Sequence, residues 1–208
     1  MSEADPNSLT AELFDRFYAD VGEDPWGFTD RWYEQRKRAI TLASLPRKHF
    51  DRAFEPGCSI GVLTELLAPR CGDLLATDVA QAALEQARRR TSRFSQVRIE
   101  RAAVPTQWPD GEFDLIVLSE VGYYCGSADL IRLASQAASS LAPNGVLLAC
   151  HWRHPVAEYP ISGDDVHAAL RASSGLASIA HHLEEDFVLD VLVRSPAVSV
   201  ARATGLLA

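Results

Sequence analysis

The 208-residue sequence predicts an α/β fold, with about seven strands in a mostly parallel sheet, an antiparallel last strand and helices on both faces. Three observations favour it. From Arg52 onward, short apolar runs alternate with helical stretches, which is the pattern of βαβ units. The run Leu115–Leu118 is apolar at every position, as expected for a strand covered on both faces. Near the end, two β-like runs flank a short acidic segment, which predicts a hairpin.

The start of the chain is predicted to be helical. Residues Ser8–Leu45 show helical spacing, interrupted by a turn at Gly22–Gly27. Asp30 is expected to cap a helix that ends before a proline. We therefore expect residues 1–48 to form an N-terminal helical lid and residues 49–208 to form one globular domain.

The globular domain is predicted to contain apolar strands, helices between most of them, and the closing hairpin. The strands are Ala53–Phe54, Leu74–Thr77, Val97–Ile99, Leu115–Leu118 and Val146–Cys150, the helices are Val62–Leu67, Ala80–Thr91 and Ala128–Leu141, and the hairpin strands are Ser178–His182 and Phe187–Arg194.

The composition excludes several classes of protein. A content of 47% hydrophobic and 23% charged residues is typical of a soluble globular chain. Twenty basic against 28 acidic residues give a net charge of −8, which argues against a nucleic-acid partner because binding phosphates needs a basic face. No apolar run approaches the roughly 18 residues of a membrane span, and the first residues lack the pattern of a signal peptide. The four cysteines have no paired spacing, and scattered thiols predict a location in the cytoplasm.

The segment Phe54–Gly61 joins the first predicted strand to the helix after it. Its glycines let a ligand approach the backbone, where the first N–H groups of the helix are free. The G-x-G-x-x-G pattern of a dinucleotide site is absent, and Glu55 stands two residues before Gly57. A carboxylate there suits a cationic group better than a phosphate. Asp78 ends the second strand about 20 residues later, where an acid can accept both hydroxyls of a ribose.

Four motifs, taken in order, resemble those of class I S-adenosylmethionine (SAM) methyltransferases. They are Glu55-x-Gly57-x-x-x-Gly61, Asp78, Phe113–Val117 and Leu141–Leu148. The resemblance implies a Rossmann-like fold, SAM as the cofactor and S-adenosylhomocysteine (SAH) as the product. Two positions depart from the family pattern, because Ser59 replaces the middle glycine and Ala102 stands where an adenine-binding acid often occurs.

The same resemblance assigns parts of the cofactor to individual residues. The methionine moiety would lie against Glu55 and the glycine loop, the ribose on Asp78, and the adenine against Val79 and residues 102–104. The cofactor-binding residues implied in this way are Trp26, Glu55, Pro56, Gly57, Cys58, Gly61, Asp78, Val79, Ala103, Val104 and Ser119.

A narrower resemblance lies outside these common motifs. Segments similar to the nodulation protein S family are Asp24–Trp26, Trp32–Lys37, Phe54–Ser59 and Ser119–Tyr124. Members of that family N-methylate the deacetylated amino-sugar end of a chitooligosaccharide. The resemblance implies methyl transfer to a small polar acceptor, an amine on an amino sugar or oligosaccharide, and a lid in which Trp26 closes the pocket over the cofactor.

Three residues near the ends of the fourth and fifth strands are candidates for holding the acceptor. Glu120 follows an otherwise apolar strand and could hold an ammonium and take its proton. Of the adjacent residues Tyr123 and Tyr124, one is expected to line the acceptor pocket and the other to lie in the core, because neighbouring residues rarely point the same way. Tyr123 is the candidate for the pocket. His151 is placed to be a base with a pKa near neutrality, and a structural histidine bonded to the backbone is the alternative. The nearby histidines show no recognised ligand spacing, so no metal is expected.

Other functions stay open on the sequence alone. A hydroxyl acceptor would make the chain an O-methyltransferase and would give His151 the larger role, since a hydroxyl must lose its proton first. A nicotinamide-dependent reductase would share the sheet, although the glycine pattern and Glu55 count against it. A non-catalytic SAM-binding protein would keep Asp78 without an organised acceptor pocket.

Overall fold

In the computed structural model, which describes residues 4–22 and 24–207, seven strands form a single mixed sheet. They are β1 (Phe50–Pro56), β2 (Cys71–Asp78), β3 (Val97–Arg101), β4 (Phe113–Ser119), β5 (Leu141–Trp152), β6 (Leu176–Leu183) and β7 (Phe187–Arg194), in the order β3-β2-β1-β4-β5-β7-β6. Strand β7 runs antiparallel to both of its neighbours, and the other pairs are parallel. The predicted Rossmann-like sheet with an antiparallel last strand is confirmed.

Helices cover both faces of this sheet, as the sequence predicts. The described residues form α1 (Ala11–Val21), α2 (Trp32–Ser44), α3 (Val62–Leu67), α4 (Gln81–Thr91), α5 (Ser127–Ser139), α6 (Gly163–Ala172) and α7 (Val200–Ala203), with 3-10 turns at Ala68–Arg70 and Gly122–Tyr124. Because successive strand residues point to opposite faces, Leu115 packs in the core beside Leu67 of α3, and Ile116 packs beside Leu133 of α5 and Leu170 of α6. None of the helices in the described ranges is long and apolar enough to span a membrane.

The start of α2 differs from the sequence-based prediction. The expectation that Asp30 caps this helix is wrong, because Arg31 stands at the capping position and provides no side-chain cap. Asp24 closes the preceding turn instead. Its carboxylate accepts the N–H groups of Phe28 (2.8 Å) and Thr29 (2.9 Å), which fixes the segment that carries Trp26.

Two elements late in the chain were also misjudged. The predicted helix Ala128–Leu141 ends at Ser139, and Leu141 pairs with β4 as the first residue of β5. Helix α6 was not predicted at all, although its capping box is visible in the sequence. Ser162 accepts the N–H of Asp165 (3.1 Å), and the Asp165 carboxylate accepts the N–H of Ser162 (3.2 Å).

The N-terminal segment caps α5, which has no side-chain cap of its own. The Ser8 hydroxyl accepts the N–H of Gly126 (2.9 Å), and the Asp5 carboxylate accepts the N–H of Ala128 (3.0 Å). In return, the buried Asp129 carboxylate accepts the N–H of Asp5 (3.0 Å) and the hydroxyl of Ser8 (2.6 Å). These contacts satisfy donors that a helix N-terminus otherwise leaves open, and they fasten the start of the chain to α5.

Helix α1 caps a second helix in the same way. Asp15 accepts the N–H of Gln81 (3.1 Å) in the first turn of α4 and forms an ion pair with Arg101 of β3 (3.1 Å). Tyr18 is buried, and its hydroxyl lies 2.5 Å from the hydroxyl of Ser59, in the loop after β1. Contacts at the start of α4 and in one loop thus hold α1 over the edge of the sheet, and residues 5–8 fasten the segment before it to α5.

Replacing Ser8 with alanine should loosen this attachment. The change removes the acceptor for the Gly126 N–H and one donor to Asp129, and the loss of such a cap costs about 1 kcal/mol of unfolding free energy. We expect a lower unfolding free energy in urea and faster proteolytic cleavage within residues 4–22. The matched control is Ser135→Ala, at an exposed position of α5. Equal cleavage of Ser8→Ala and the control would contradict the capping role.

Candidate active site

A cavity of about 410 Å³ lies between α1, α2 and the carboxyl ends of β1, β2 and β4. Ligands of open α/β sheets bind beyond the carboxyl ends of the strands, so this is the expected edge. Most of the predicted site residues line it, namely Trp26, Glu55, Gly57, Cys58, Asp78, Val79, Val104, Ser119, Glu120 and Tyr123.

Four predicted site residues do not line the cavity, and they are Pro56, Gly61, Ala103 and His151. Pro56 is buried within β1. Gly61 (φ +78°) precedes α3, and a Cβ at this position would lie 2.9 Å from the Cα of Ala87, so the glycine lets α3 pack on α4. Ala103 donates its N–H to the side chain of Gln107 (2.8 Å) in a turn, while the residues on either side of it face the cavity.

Glu55 is buried at the end of β1, with 2% of its surface exposed, and it faces the cavity. Within the described part of the chain, nothing hydrogen-bonds its Oε2 atom. Burial raises the pKa of Glu55 to about 8, and the nearby Thr64 side chain opposes that shift. A buried carboxyl with an open acceptor is suited to a ligand ammonium group, which would favour the ionised form again.

The loop after Glu55 requires a glycine at one particular position. Gly57 has φ +72°, and a Cβ there would lie 2.1 Å from a methyl carbon of Val121. Ser59 also adopts a positive φ, of +50°, in place of the middle glycine of the family pattern. The chain can therefore make the tight turn with serine at this position, and the Tyr18 hydroxyl is the partner of its side chain.

Asp78 is held at the end of β2 by backbone donors. Its Oδ2 accepts the N–H of Ser59 (2.8 Å), and its Oδ1 accepts the N–H of Ala80 (2.9 Å). Burial raises the pKa of Asp78 above its ordinary value, although these two N–H groups oppose the shift. Each carboxylate oxygen can accept a second hydrogen bond, so the fixed side chain can still bind hydroxyl groups of a ligand.

Trp26 belongs to an aromatic cluster of the N-terminal segment. Its ring centroid lies 4.9 Å from that of Phe17, 5.4 Å from that of Tyr18 and 5.6 Å from that of Phe28. Trp26, Tyr18 and Phe28 line the cavity, and the cluster packs on Ile60 of the glycine loop. The N-terminal segment thus places an aromatic wall over the glycine loop, which the family resemblance assigns to the cofactor.

Glu120 follows β4 in a conformation that non-glycine residues rarely adopt, with φ +58°. Its carboxylate accepts three hydrogen bonds, from Lys37 Nζ (2.8 Å), from the N–H of Trp152 (3.1 Å) and from the hydroxyl of Tyr123. Such a backbone costs about 1–3 kcal/mol and persists only where the surroundings fix it. The three donors fix it here, and they present a carboxylate to the cavity.

The inward face of α2 is polar, which the sequence-based prediction of a lid missed. Trp32 is 73% exposed, and the buried side chains of the helix are Glu34, Lys37, Arg38 and Thr41. Lys37 Nζ lies 3.0 Å from Glu34 and 2.8 Å from Glu120. Burial alone would lower the pKa of Lys37, but the carboxylates of Glu120 and Glu34 raise it above its ordinary value. The sequence does contain a signal for this polar face, because the charged residues Glu34, Lys37 and Arg38 stand at the helical spacing i, i+3 and i+4.

Arg38 is a second residue that sequence reasoning missed. Its Nη1 lies 3.6 Å from Glu34, and its buried Nε and Nη1 atoms donate no hydrogen bond to any described residue. Arg38 lines the cavity, as Glu55 does. A buried guanidinium with open donors is suited to a carboxylate, so the cavity offers an unused donor group as well as an unused acceptor.

Both adjacent tyrosines line the cavity, and Tyr123 is also buried in the core, whereas the sequence-based expectation gave one tyrosine to the pocket and the other to the core. They occupy a 3-10 turn and not a strand, and their rings meet edge to face at 4.7 Å. Tyr159 completes the group, because its ring stacks on Tyr123 (4.6 Å) and meets Tyr124 edge-on (5.0 Å). The three rings form an aromatic wall beside Glu120.

The prediction that His151 is a base with a pKa near neutrality is wrong. The side chain is fully buried behind the cavity wall, where its Nε2 accepts the N–H of Gly122 (3.1 Å). Burial is the main cause that lowers its pKa well below the ordinary value, and the ammonium of Lys37 acts in the same direction. The structure therefore shows the alternative, a histidine bonded to the backbone. Among the described residues, no three His, Cys, Asp or Glu side chains are grouped to hold a metal.

The sequence model of one protein family covers most of this architecture. The family is described as Nodulation protein S (NodS), and its model matches residues 11–159, which include α1, α2, the glycine loop and Glu120. The chain belongs to the nodulation protein S family. The matched region ends before α6, β6 and β7.

Two curated NodS proteins show how far the similarity extends. Nodulation protein S of Rhizobium tropici is 34% identical over 130 residues, which are 62% of this chain and 55% of that protein. The protein of Sinorhizobium fredii strain NBRC 101917 / NGR234 is 37% identical over 127 residues, 60% of this chain and 59% of that protein. The chain thus spans somewhat more than half the length of the curated relatives that it matches.

Solved structures agree with the fold. The N-methyltransferase NodS from Bradyrhizobium japonicum WM9, in complex with SAH, matches with a TM-score of 0.79 at 26% identity, over 89% of this chain and 98% of that one. A candidate methyltransferase from Pseudomonas syringae matches with a TM-score of 0.70 at 46% identity, over 79% of this chain and 100% of that one. The Rossmann-like methyltransferase fold is therefore confirmed.

The raised pKa of Glu55 predicts a pH dependence of stability. The ordinary value is 4.5 and the folded value is about 8, so the folded chain holds more protons than the unfolded chain between these limits. The unfolding free energy should therefore fall as pH rises through this window, with a slope of up to about 1.4 kcal/mol per pH unit from this one group. Glu55→Gln should remove that slope.

The measurement is urea unfolding of the ligand-free protein from pH 5 to pH 8. Other groups titrate in this range, so the informative quantity is the difference in slope between the wild type and Glu55→Gln. Glu185→Gln, at an exposed position between β6 and β7, is the matched control and should keep the wild-type slope. Identical slopes for all three proteins would show that Glu55 does not titrate in the folded chain as expected.

Proposed function

We propose that the chain is a SAM-dependent methyltransferase that transfers a methyl group to an amine of a small polar acceptor. The observation that carries the proposal is that one cavity joins Glu55 and Asp78, beside the glycine loop, to the carboxylate of Glu120. Membership of the NodS family supports it, since the NodS of Bradyrhizobium japonicum is an N-methyltransferase whose structure contains SAH.

The residues around the glycine loop fit SAM. Its amino-acid end carries an ammonium and a carboxylate, and the cavity offers the unpaired Oε2 of Glu55 for the first and the unused donors of Arg38 for the second. Asp78 would accept the ribose hydroxyls, as the sequence predicts. Val79 and Val104 line the cavity beyond Asp78 and would contact the adenine.

Methyl transfer requires the protein mainly to align the acceptor with the methyl group, and less to supply an acid or a base. When bound, SAM supplies a methyl group on a positively charged sulfur, which keeps the electron pair of the broken C–S bond. Glu120 would accept a hydrogen bond from an N–H of the acceptor amine, which turns the nitrogen lone pair away from the carboxylate. A neutral amine forms the new N–C bond with that lone pair and then gives up a proton. We assign Glu120 as the carboxylate that accepts this proton.

Charge around Glu120 supports an amine acceptor. The carboxylates of Glu34 and Glu120 share one ammonium, that of Lys37, so this group of three carries one net negative charge. The charge of Arg38 would be matched by the carboxylate of the cofactor. The remaining negative charge attracts a cationic amine and stabilises the positive charge that develops on nitrogen during transfer.

The size and the lining of the cavity favour a small reactive group. A volume of about 410 Å³ is at the lower end for ligand pockets, and the bound cofactor would take up much of it. The wall formed by Tyr123, Tyr124 and Tyr159 offers faces for a sugar ring or a cation. We therefore propose that the terminal residue of an amino sugar or oligosaccharide enters beside Glu120. The cytoplasm stays the predicted location.

A hydroxyl acceptor receives less support from the structure. The described residues that line the cavity include no histidine, and His151 lies behind the wall. O-methyl transfer would therefore lack the base that the sequence suggested for it.

Arg38→Met should weaken the binding of SAH and leave the nucleoside part of the site intact. Loss of a charge-assisted hydrogen bond corresponds to an affinity about 10- to 100-fold lower. Calorimetry should show this for SAH, while 5′-methylthioadenosine, which lacks the amino-acid end, should bind Arg38→Met as it binds the wild type. Asp78→Asn should weaken both ligands. Arg89→Met, at an exposed position of α4, is the control, and equal losses for both ligands in Arg38→Met would refute the assignment of Arg38.

The function itself is tested by transfer of labelled methyl from SAM to a panel of amino sugars, their N-acetylated counterparts and hydroxylated acceptors. We expect label on the free amines only. Glu120→Gln should lower kcat by about 100-fold or more with little change in SAH affinity, because the residue is assigned to the acceptor and not to the cofactor. Glu158→Gln, an exposed change near Tyr159, should behave as the wild type.

The other outcomes of this assay are equally informative. Label on hydroxyls alone would show that the acceptor group is a hydroxyl and not an amine. SAH binding without transfer to any member of the panel would remove the amino sugar as the substrate class. Failure to bind SAH would remove the methyltransferase proposal itself.

A further inference from the structure

A chain of buried polar side chains lies behind the wall of the cavity, and the proposed mechanism does not use it. His151 of β5, His167 of α6 and Asp190 of β7 are all fully buried. Nδ1 of His151 lies 3.1 Å from Nε2 of His167, and Nδ1 of His167 lies 2.6 Å from Oδ2 of Asp190. Three separate elements thus contribute to one continuous hydrogen-bonded chain.

The partners at the two ends fix where the protons lie. The N–H of Gly122 can only donate, so Nε2 of His151 carries no proton and its Nδ1 does. Nδ1 then donates to Nε2 of His167, and the remaining nitrogen of His167 donates to the Asp190 carboxylate. Burial lowers the pKa of His151 well below its ordinary value, which keeps that ring neutral. One arrangement of protons satisfies every group.

The outer end of this chain is fixed by further donors. Arg171 donates to Asp190 at 2.6 Å, and His181 lies 2.9 Å from its other oxygen. Burial alone would raise the pKa of Asp190, but the hydrogen bonds from His167 and His181 hold it at about 2. The carboxylate is therefore a fixed, charged acceptor, and it orients His167 from behind.

The inner end reaches the turn that carries the proposed catalytic groups. Gly122 stands between Glu120 and Tyr123 and is the first residue of the 3-10 turn. A Cβ on Gly122 would lie 2.5 Å from a methyl carbon of Val166 and 3.2 Å from Nε2 of His151, so the turn is packed directly against α6 and the histidine. A shift of the ring would move Glu120, whose backbone is already in an unfavourable region.

We infer that His151 and His167 are positioning residues, which hold the Gly122 N–H and thereby set the place of Glu120 and Tyr123 in the acceptor half of the site. The inference rests on the proposed function of Glu120. The sequence suggested His151 as a base, and the inference gives this residue a positioning role instead. Neither ring lines the cavity. His151 acts through the Gly122 N–H and also packs edge-on against the ring of Tyr123 at 5.3 Å, and His167 acts through His151.

Two substitutions of His151 distinguish its contact with the Gly122 N–H from its contact with His167. In His151→Gln the side-chain amide can place its oxygen where Nε2 lies and accept the Gly122 N–H, whereas the shorter side chain of His151→Asn cannot reach it. We expect amide hydrogen exchange at Gly122 to be slow in the wild type and in His151→Gln, and about tenfold faster or more in His151→Asn. The SAH affinity should be unchanged in both variants, because Glu55 and Asp78 lie on other strands.

The kinetic readout uses whichever acceptor the wild-type protein methylates. We expect kcat of His151→Asn to fall by about tenfold or more, and His151→Gln to keep the larger part of the wild-type kcat. A merely structural role would lower the thermal stability of both variants and would not separate Gln from Asn. Wild-type exchange at Gly122 in His151→Asn, or an SAH affinity that falls by the same factor as kcat, would overturn the inference.

Two measurements keep the test independent of folding defects and of the proposed function. The ring nitrogens of the wild-type protein, labelled with ¹⁵N, should show a protonated Nδ1 and an unprotonated Nε2 for His151, and the opposite pattern would overturn the inference. If His151→Asn does not fold, His167→Gln, which can still accept from His151, is compared with His167→Leu, which cannot. Failure of methyl transfer by the wild type would refute the proposed function, while the exchange and ¹⁵N results would still decide the role of His151.

Discussion

The ion pair between Lys37 and Glu120 joins α2 to the end of β4, and the rest of the site depends on it. Lys37 is 4% exposed, so its ammonium has left water and must be compensated by Glu120 and Glu34. Removing one partner of such a buried pair leaves an uncompensated charge, at a cost of about 3–5 kcal/mol. Electrostatics therefore holds the fully buried side chains of α2, which are all polar, while Tyr33, Ile40 and Leu42 pack the same helix against the apolar core. The same pair helps to hold the unusual backbone of Glu120.

The fold could be predicted where one local pattern leaves a single choice. The uninterrupted apolar run in β4 and the two β-like runs of the closing hairpin gave strands close to those observed. Helix α6 was missed although Ser162 and Asp165 mark its start, and although it joins β5 to β6, which run in the same direction on either side of β7. Asp30 was given a capping role on residue type alone, but the turn before α2 uses the carboxylate of Asp24.

The site could be predicted where residue type and topology coincide. Glu55, Asp78 and Glu120 stand at or just after the ends of parallel strands, and such ends converge at one edge of the sheet. Lys37 and Arg38 were missed as lining residues because helical spacing shows which residues share a face but not that a polar face is the inward one. His151 was placed wrongly for a related reason. The sequence gives its position on β5 but not which side of the sheet its ring joins, and the polar partner that decides this, His167, lies in the helix that was missed.

The caps that the N-terminal segment provides have a consequence for the stability of the main body. Residues 5–8 complete the start of α5, and Asp15 completes the start of α4, so the segment shares hydrogen bonds with two helices of the main body. Detaching the segment would leave both helix ends with unpaired N–H groups that water would have to reach. Truncating the chain before α2 would therefore weaken two helices that lie far from the cut in the sequence.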